Sequence, residues 1–354
     1  MLCVVPALRA VRTACPNSRI TLIGLPWAAS FVSRFGAYVD DFIEFPGHPA
    51  LPERVPDADA LPRFFEESKR RGFDVAIQLH GSGPVVNRLV EQMGARRSAG
   101  YFLTNEDHDS RGFYVRWPNG GHEIEKWLWL VRALGAPAAG QHLEFPVTDA
   151  ERAEAETLLQ SHGIEAGRYV CVHPGARLKS RRWHPERFAE VADFLASLGY
   201  QVIITGSEWE RPLTADVRRR MRADSFDLKG EVSLGGLAAL IAGARLLVSN
   251  DTGVSHIAAA VGTPSVIVTT GSDPRRWSPL DAERHATVYR PVDCRPCAFD
   301  VCPIGHPCAD AVTADLVIAE IEKQLNRRTD AFPQNPHLAR SWKLLVLPDE
   351  AVAT

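Results

Sequence analysis

The chain has 354 residues, 45% hydrophobic and 23% charged, which fits a globular protein of about two domains and excludes wholesale disorder. Lys and Arg total 40 against 43 Asp and Glu, a formal charge of -3 that argues against bulk nucleic-acid binding. No apolar run reaches the ~18 residues that cross a bilayer, the first residues lack the basic region of a secretory signal, and seven cysteines in this length are no disulfide scaffold. A soluble, cytoplasmic protein is expected.

In chain order, short β-rich runs alternate with longer segments of helical period, the pattern of α/β folds with parallel sheets. The first half gives strands at residues 19–25, 39–45, 73–79 and 98–103, with helices at 6–15, 61–71, 84–94 and 122–134. Pro, Gly and polar residues interrupt the pattern at 137–149, and a helix over 150–161 leads on. The second half gives strands at 169–173, 201–205, 245–249 and 265–269, with helices at 185–198, 212–221, 234–242, 254–261 and 314–325. Two Rossmann-like domains are therefore expected, 1–148 and 149–327, with a tail over 328–354. Parallel sheets bind ligands at the carboxyl ends of their strands.

Three motifs fall at such ends in the second half. Ser249-Asn250-Asp251-Thr252-Gly253-Val254-Ser255-His256 turns from a strand into a small-residue helix, whose N-terminal N–H groups favour a phosphate. The plain alternative is an N-cap at Asp251 or Thr252. An aspartic protease is a remote one, since it needs a second carboxylate and β structure after Asp-Thr-Gly. His173-Pro174-Gly175-Ala176, followed by Arg177, Lys179, Arg181 and Arg182, is either a diphosphate cradle or a solvated basic loop. Thr205-Gly206-Ser207-Glu208 offers a carboxylate to ribose hydroxyls.

Cys294, Cys297, Cys302 and Cys308 are spaced closely enough for a four-thiolate zinc site, with disulfides a second alternative, although reduced, packed thiols fit the irregular spacing better. In the first half, His80 and Gly81 end a strand and can border an acceptor, or simply form a tight turn. His122, beside Glu123 and Glu125, reads as a surface histidine. The tail carries an apolar run, Trp342-Lys343-Leu344-Leu345-Val346-Leu347, with no evident packing partner.

His-Pro-Gly, Arg-Trp-His-Pro-Glu-Arg-Phe at 182–188, Thr-Gly-Ser-Glu and Ser-Asn-Asp-Thr-Gly-Val-Ser-His together resemble glycosyltransferase family 9, the ADP-heptose:lipopolysaccharide heptosyltransferases. Cys-Arg-Pro-Cys followed by Cys-Pro-Ile-Gly-His-Pro-Cys is similar to the heptosyltransferase II branch. The resemblance implies a GT-B fold, an ADP-heptose donor on the C-terminal domain and a lipopolysaccharide-core acceptor on the N-terminal one. It also implies inverting transfer without a metal or other cofactor, at the cytoplasmic face of the inner membrane, with peripheral contact and no transmembrane segment. It assigns Asp251, Thr252, Gly253 and His256 to the diphosphate and sugar, and Glu208 to the ribose. Val232 and Leu234 would line the adenine pocket, and Arg181 stands where the family has a lysine.

Family members begin with an apolar strand and a Gly-Asp whose aspartate is the expected general base. Aligned on Pro6-Ala7-Leu8-Arg9, that strand and base fall before Met1, so the expectation is a start upstream. The alternatives are a non-catalytic nucleotide-sugar-binding paralogue and a sugar-nucleotide epimerase of the same fold; no carboxylate pair supports the latter.

Overall fold

The computed structural model describes residues 1–104, 112–228 and 232–327; the tail over 328–354 lies outside them. The described chain forms two compact units. Unit 1 comprises residues 1–148 with 271–282 and 293–298. Unit 2 comprises 149–270, 283–292 and the residues from 299 onward.

Unit 1 opens with α1 (Val5–Ala14), β1 (Thr21–Gly24), α2 (Ala28–Arg34), β2 (Asp41–Glu44) and α3 (Ala60–Arg71). It continues with β3 (Val75–Ile77), α4 (Val86–Gln92), β4 (Arg97–Phe102), β5 (Phe113–Arg116) and α5 (Glu123–Ala133). Helix α1 starts at a Pro in its first turn, a position that needs no intrahelical N–H, and buries Val5, Ala7, Leu8 and Ala10. All strand pairs are parallel, but the strands fall into two separate ladders. β1 pairs with β2, and β3 pairs with β4, which pairs with β5.

His122 is not at the surface. It is buried, its Nδ1 accepts from the Ile124 N–H at 3.2 Å to cap α5, and its Nε2 donates to the Ser278 carbonyl at 2.6 Å. An N-cap must have an acceptor aimed at the first turn, and the neutral imidazole supplies it while its other nitrogen ties in a distant loop. Arg276 of the same loop pairs with the buried Glu123 at 2.8 Å. These bonds are why residues 271–282 pack with unit 1.

Unit 2 runs through α6 (Asp149–Ser161), β6 (Tyr169–His173), α7 (Pro185–Ser197), β7 (Gln201–Ile204), α8 (Arg211–Arg220), β8 (Phe226–Asp227) and α9 (Leu234–Gly243). Then come β9 (Leu247–Asn250), α10 (Gly253–Val261), β10 (Ser265–Val268), the one-turn α11 (Pro274–Trp277, in unit 1), β11 (His285–Val288), the one-turn α12 (Pro307–Asp310) and α13 (Ala314–Asn326). Its single parallel sheet has the order β11-β10-β9-β6-β7-β8. By position in the unit that is 6-5-4-1-2-3, the doubly wound order. Strands β6, β9 and β10 are buried at every residue, as parallel strands covered on both faces must be. Val170, Val172, Val202, Ile204, Val248, Val266 and Val268 meet Trp183, Phe188, Val191 and Leu195 of the β6–α7 region in one core. Among the described residues no helix is long and apolar enough to cross a membrane.

Candidate donor site at the carboxyl edge of unit 2

Because the sheet is parallel, the loops after β10, β9, β6 and β7 leave the same edge in that spatial order. Hydrogen bonds join three of them. Asn250, fully buried at the end of β9, donates from Nδ2 to the Pro174 carbonyl at 2.7 Å and accepts the Trp183 N–H at 2.9 Å. His173, buried at the end of β6, bonds the Thr205 hydroxyl at 3.0 Å across to β7. The Gly175 turn is therefore held from both neighbouring strands.

A carboxylate completes the cluster, and it is not the one expected. Ser207 and Glu210 form a reciprocal capping box: Glu210 accepts from the Ser207 N–H at 2.9 Å and its hydroxyl at 2.8 Å. This turns Glu210 inward and Glu208 outward. Glu208 is largely exposed and pairs with Arg211 at 2.8 Å. The inward Glu210 explains the glycine at 175, since a Cβ there would lie 2.1 Å from Glu210 Oε1 and 2.4 Å from its Cδ. Burial alone would raise the Glu210 carboxyl, but the two Ser207 bonds with His173 and Arg182 nearby hold it below the ordinary carboxylate range. Burial lowers the His173 imidazole, with Glu210 opposing.

The α10 turn is capped by its own threonine. Thr252 is the N-cap, its Oγ1 accepting from the Val254 N–H at 3.2 Å. That is the plain reading of this motif, and it leaves the phosphate reading intact. A Cβ on Gly253 would meet nothing within 4 Å, so the start of the helix is unobstructed by protein. Asp251 and His256 are half-buried beside it, and Asp251 anchors the turn by its N–H to the Val268 carbonyl at 3.1 Å.

Arg181 ends a 3-10 turn, Lys179–Arg181, whose middle residue fixes it. Ser180 donates its N–H to Asp300, and its carbonyl accepts from the Thr270 hydroxyl at 3.0 Å and from His306 Nε2 at 2.8 Å. Ala176 is buried and its carbonyl accepts from Arg182 Nε at 2.8 Å. The Arg-Trp-His-Pro-Glu-Arg-Phe segment serves the fold rather than a ligand. Trp183 is fully buried with Nε1 on the Val312 carbonyl, His184 pairs with Asp310 at 2.7 Å, and Arg187 donates to the Ala309 and Asp310 carbonyls that end α12.

Ser233 caps α9 and is itself held by Glu154 of α6, at 2.7 Å to its N–H and 2.6 Å to its hydroxyl. Val232 is half-buried and Leu234 is 60% exposed, presenting an apolar group at the start of that helix. In unit 1, His80 is exposed and pairs with Glu53 at 3.3 Å, and Gly81 takes a positive φ of 70° in the turn after β3.

The four-thiolate reading finds no support. No disulfide joins any cysteine, and among the described residues no group of three or more His, Cys, Asp or Glu is arranged to hold a metal. Cys294 and Cys297 fall in unit 1, Cys302 and Cys308 in unit 2. The roles of Asn250, Thr270 and His306 escaped sequence reading because each acts on a segment distant along the chain, Asn250 on Pro174 at a separation of 76 residues, and that of Glu210 because it depends on one capping turn.

Residues 62–306 match Glycosyltransferase family 9 (heptosyltransferase). Lipopolysaccharide heptosyltransferase 2 of Escherichia coli K12 is 35% identical over 292 residues, 77% of this chain and 80% of that one. Lipooligosaccharide heptosyltransferase 2 of Haemophilus influenzae is 25% identical over 299 residues, 78% and 81% of the two chains. Among solved structures, a family 9 glycosyl transferase of Veillonella parvula superposes with a TM-score of 0.75 at 22% identity, covering 92% of this chain and 93% of that one. The E. coli ADP-heptose lps heptosyltransferase II does so at 0.70 and 19%, covering 92% and 95%. The fold is thus the GT-B class expected. A match over more than half of the sequence places this chain in glycosyltransferase family 9, the heptosyltransferases, and makes it a glycosyltransferase.

Proposed function

We propose that this enzyme transfers a heptose from ADP-heptose to the inner core of lipopolysaccharide, with inversion at the anomeric carbon, working at the cytoplasmic face of the inner membrane. The observation that supports the donor half is the tying of the β6, β7 and β9 loops at one edge of unit 2. Its relatives are lipopolysaccharide heptosyltransferases, and a solved structure of the same fold is described with ADP.

The chemistry follows from charge. As an acceptor hydroxyl attacks the anomeric carbon, negative charge grows on the departing diphosphate. The N–H groups at the start of α10 follow β9, and Arg181 ends a turn in the loop after β6, so both would serve as preorganised donors to that charge. Asp251 is itself anionic, so it would accept from sugar hydroxyls instead. Of the two carboxylates after β7, Glu210 is better placed than Glu208 to set the loop that takes the ribose. Unit 1, with His80 and Gly81, is left for the acceptor. No metal or cofactor enters the scheme.

The test is titration calorimetry with ADP alongside a transfer assay with ADP-heptose and a heptose-deficient lipopolysaccharide core. Binding in the calorimeter and transfer in the assay support the proposal. ADP binding without transfer would favour a non-catalytic nucleotide-sugar-binding protein.

A further inference from the structure

Among the described residues, His306 is the one residue other than glycine with a left-handed backbone, at a φ of 68°, directly after Gly305 at 82°. A side chain at such a position costs conformational energy that glycine would not, and it persists where its neighbours over-determine it. Three contacts do so. The His306 N–H donates to Cys302 Sγ at 3.2 Å, its ring meets that of His184 edge-on at 5.9 Å between centroids, and its Nε2 lies 2.8 Å from the Ser180 carbonyl. A carbonyl only accepts, so Nε2 carries the hydrogen and donates it.

Ser180 is pinned by that bond and by three more. It is buried between the exposed Lys179 and the half-buried Arg181. Its N–H donates to the Asp300 carbonyl at 2.9 Å and its hydroxyl to the Phe299 carbonyl. Its own carbonyl accepts from the Thr270 hydroxyl at 3.0 Å as well as from His306, so both lone pairs are taken. That carbonyl shares a peptide plane with the Arg181 N–H, which donates to the Leu178 carbonyl at 2.9 Å and closes the 3-10 turn. A plane held at both ends sets the direction in which the Arg181 side chain leaves the backbone. All of these groups belong to unit 2.

We propose that His306 is a positioning residue for diphosphate binding: it holds the Ser180–Arg181 peptide and through it aims the Arg181 guanidinium at the phosphates of the nucleotide. The aim at phosphates rests on the reading of Arg181 as a donor to the diphosphate; the hold on the turn does not. This role accounts for a histidine where glycine would suit the backbone better, since glycine brings no side-chain donor.

Titration calorimetry with ADP on the full chain, run as a double-mutant cycle, tests the role. His306→Gly keeps the left-handed backbone open and removes only the ring; it weakens ADP binding roughly 5-fold. Arg181→Ala weakens it roughly 10-fold or more. With Arg181→Ala in place, His306→Gly changes ADP affinity less than about 2-fold, because the guanidinium it aims is gone. His306→Asn, tolerated in the same backbone but one bond too short for Ser180, behaves as His306→Gly does. An equal loss in both backgrounds, or wild-type affinity in either His306 variant, overturns the proposal. Hydrogen exchange without nucleotide reads the hold itself. In His306→Gly the Arg181 and Arg182 amides exchange roughly 10-fold faster while β6 and β9 amides keep wild-type rates; unchanged exchange at Arg181 overturns the hold. A wild-type chain that binds no ADP would overturn the donor reading and the aim at phosphates with it, whereas the exchange result alone decides whether His306 holds the turn.

Discussion

Strand pairs are parallel in both units, yet the described residues form a single six-strand sheet in unit 2 and two short ladders in unit 1. In unit 2 every residue of β6, β9 and β10 is buried, and the loops after β6, β7 and β9 are fixed by Asn250, Glu210 and His173. Among the described residues of unit 1, β1 is only half-buried and β3 begins at the exposed Val75. A sheet covered on both faces turns its carboxyl edge into a rigid platform, because each loop there inherits the position of a strand that cannot move. Rigid donors at that edge are what a transferring diphosphate needs.

The sharpest way to break this contrast is to truncate a tryptophan of the unit 2 core and a half-exposed one of unit 1. Trp183→Ala in unit 2 removes a fully buried indole and its hydrogen bond to the Val312 carbonyl, which Arg187 also reaches, and should cost about 3–5 kcal/mol in denaturant unfolding. Trp129→Ala in unit 1, at a residue 49% exposed, should cost less than about 1 kcal/mol. Equal losses would mean the units do not differ as described.

The next effect concerns the tied loops. Gly175→Ala drives a methyl into the Glu210 carboxylate and should destabilise by about 1–3 kcal/mol and weaken ADP binding. Gly175→Ala combined with Glu210→Ala should recover stability relative to the single variant, since the clash is with that side chain. A double-mutant cycle by thermal melting and calorimetry reads both, and strict additivity would show that the two residues do not meet.

Acid should act on unit 2 through the same cluster. His173 has its folded value depressed by burial, so its neutral form is favoured in the folded state, and stability is lost as pH falls below the ordinary histidine value. Glu210, despite a burial contribution that acts the other way, is also held low by Ser207, His173 and Arg182. Its stabilisation is present above the ordinary carboxylate value and lost at still lower pH. Melting temperatures from pH 8 to pH 4 should fall in wild type, and His173→Asn should flatten the upper part of that fall. An unchanged slope would remove His173 from the explanation. The smallest effect is at the exposed start of β3 in unit 1: Val75→Ala should change stability by no more than about 0.5 kcal/mol.

This division also explains what could be read from the sequence. Residues 169–173 announce β6 because a doubly covered strand must be continuously apolar, and 185–198 announces α7 through its period. Strand β5 was not anticipated because its Phe113 and Arg116 are exposed and its run is four residues long. Strand β8 has two residues, and β11 reads His-Ala-Thr-Val. Helix α2 buries only Ala28 and Phe31, too little to set a period. At the carboxyl edge of unit 2, motifs at strand ends pointed to loops that hydrogen bonds tie together, since that edge follows from parallel topology. They could not show that Ser207 caps toward Glu210 and so turns Glu208 outward, which depends on the capping geometry of one turn. His122 looked like a surface residue because its partner, Ser278, lies 156 residues away.

The central claim is that the loops after β6, β7 and β9 grip a nucleoside diphosphate together. A crystal structure of the full chain with ADP tests it most directly. The account expects the diphosphate against the N–H groups at Gly253 and Val254 with Arg181 in reach, and the ribose at the loop that Glu210 holds. Nucleotide bound on unit 1, or on unit 2 away from that edge, would contradict it.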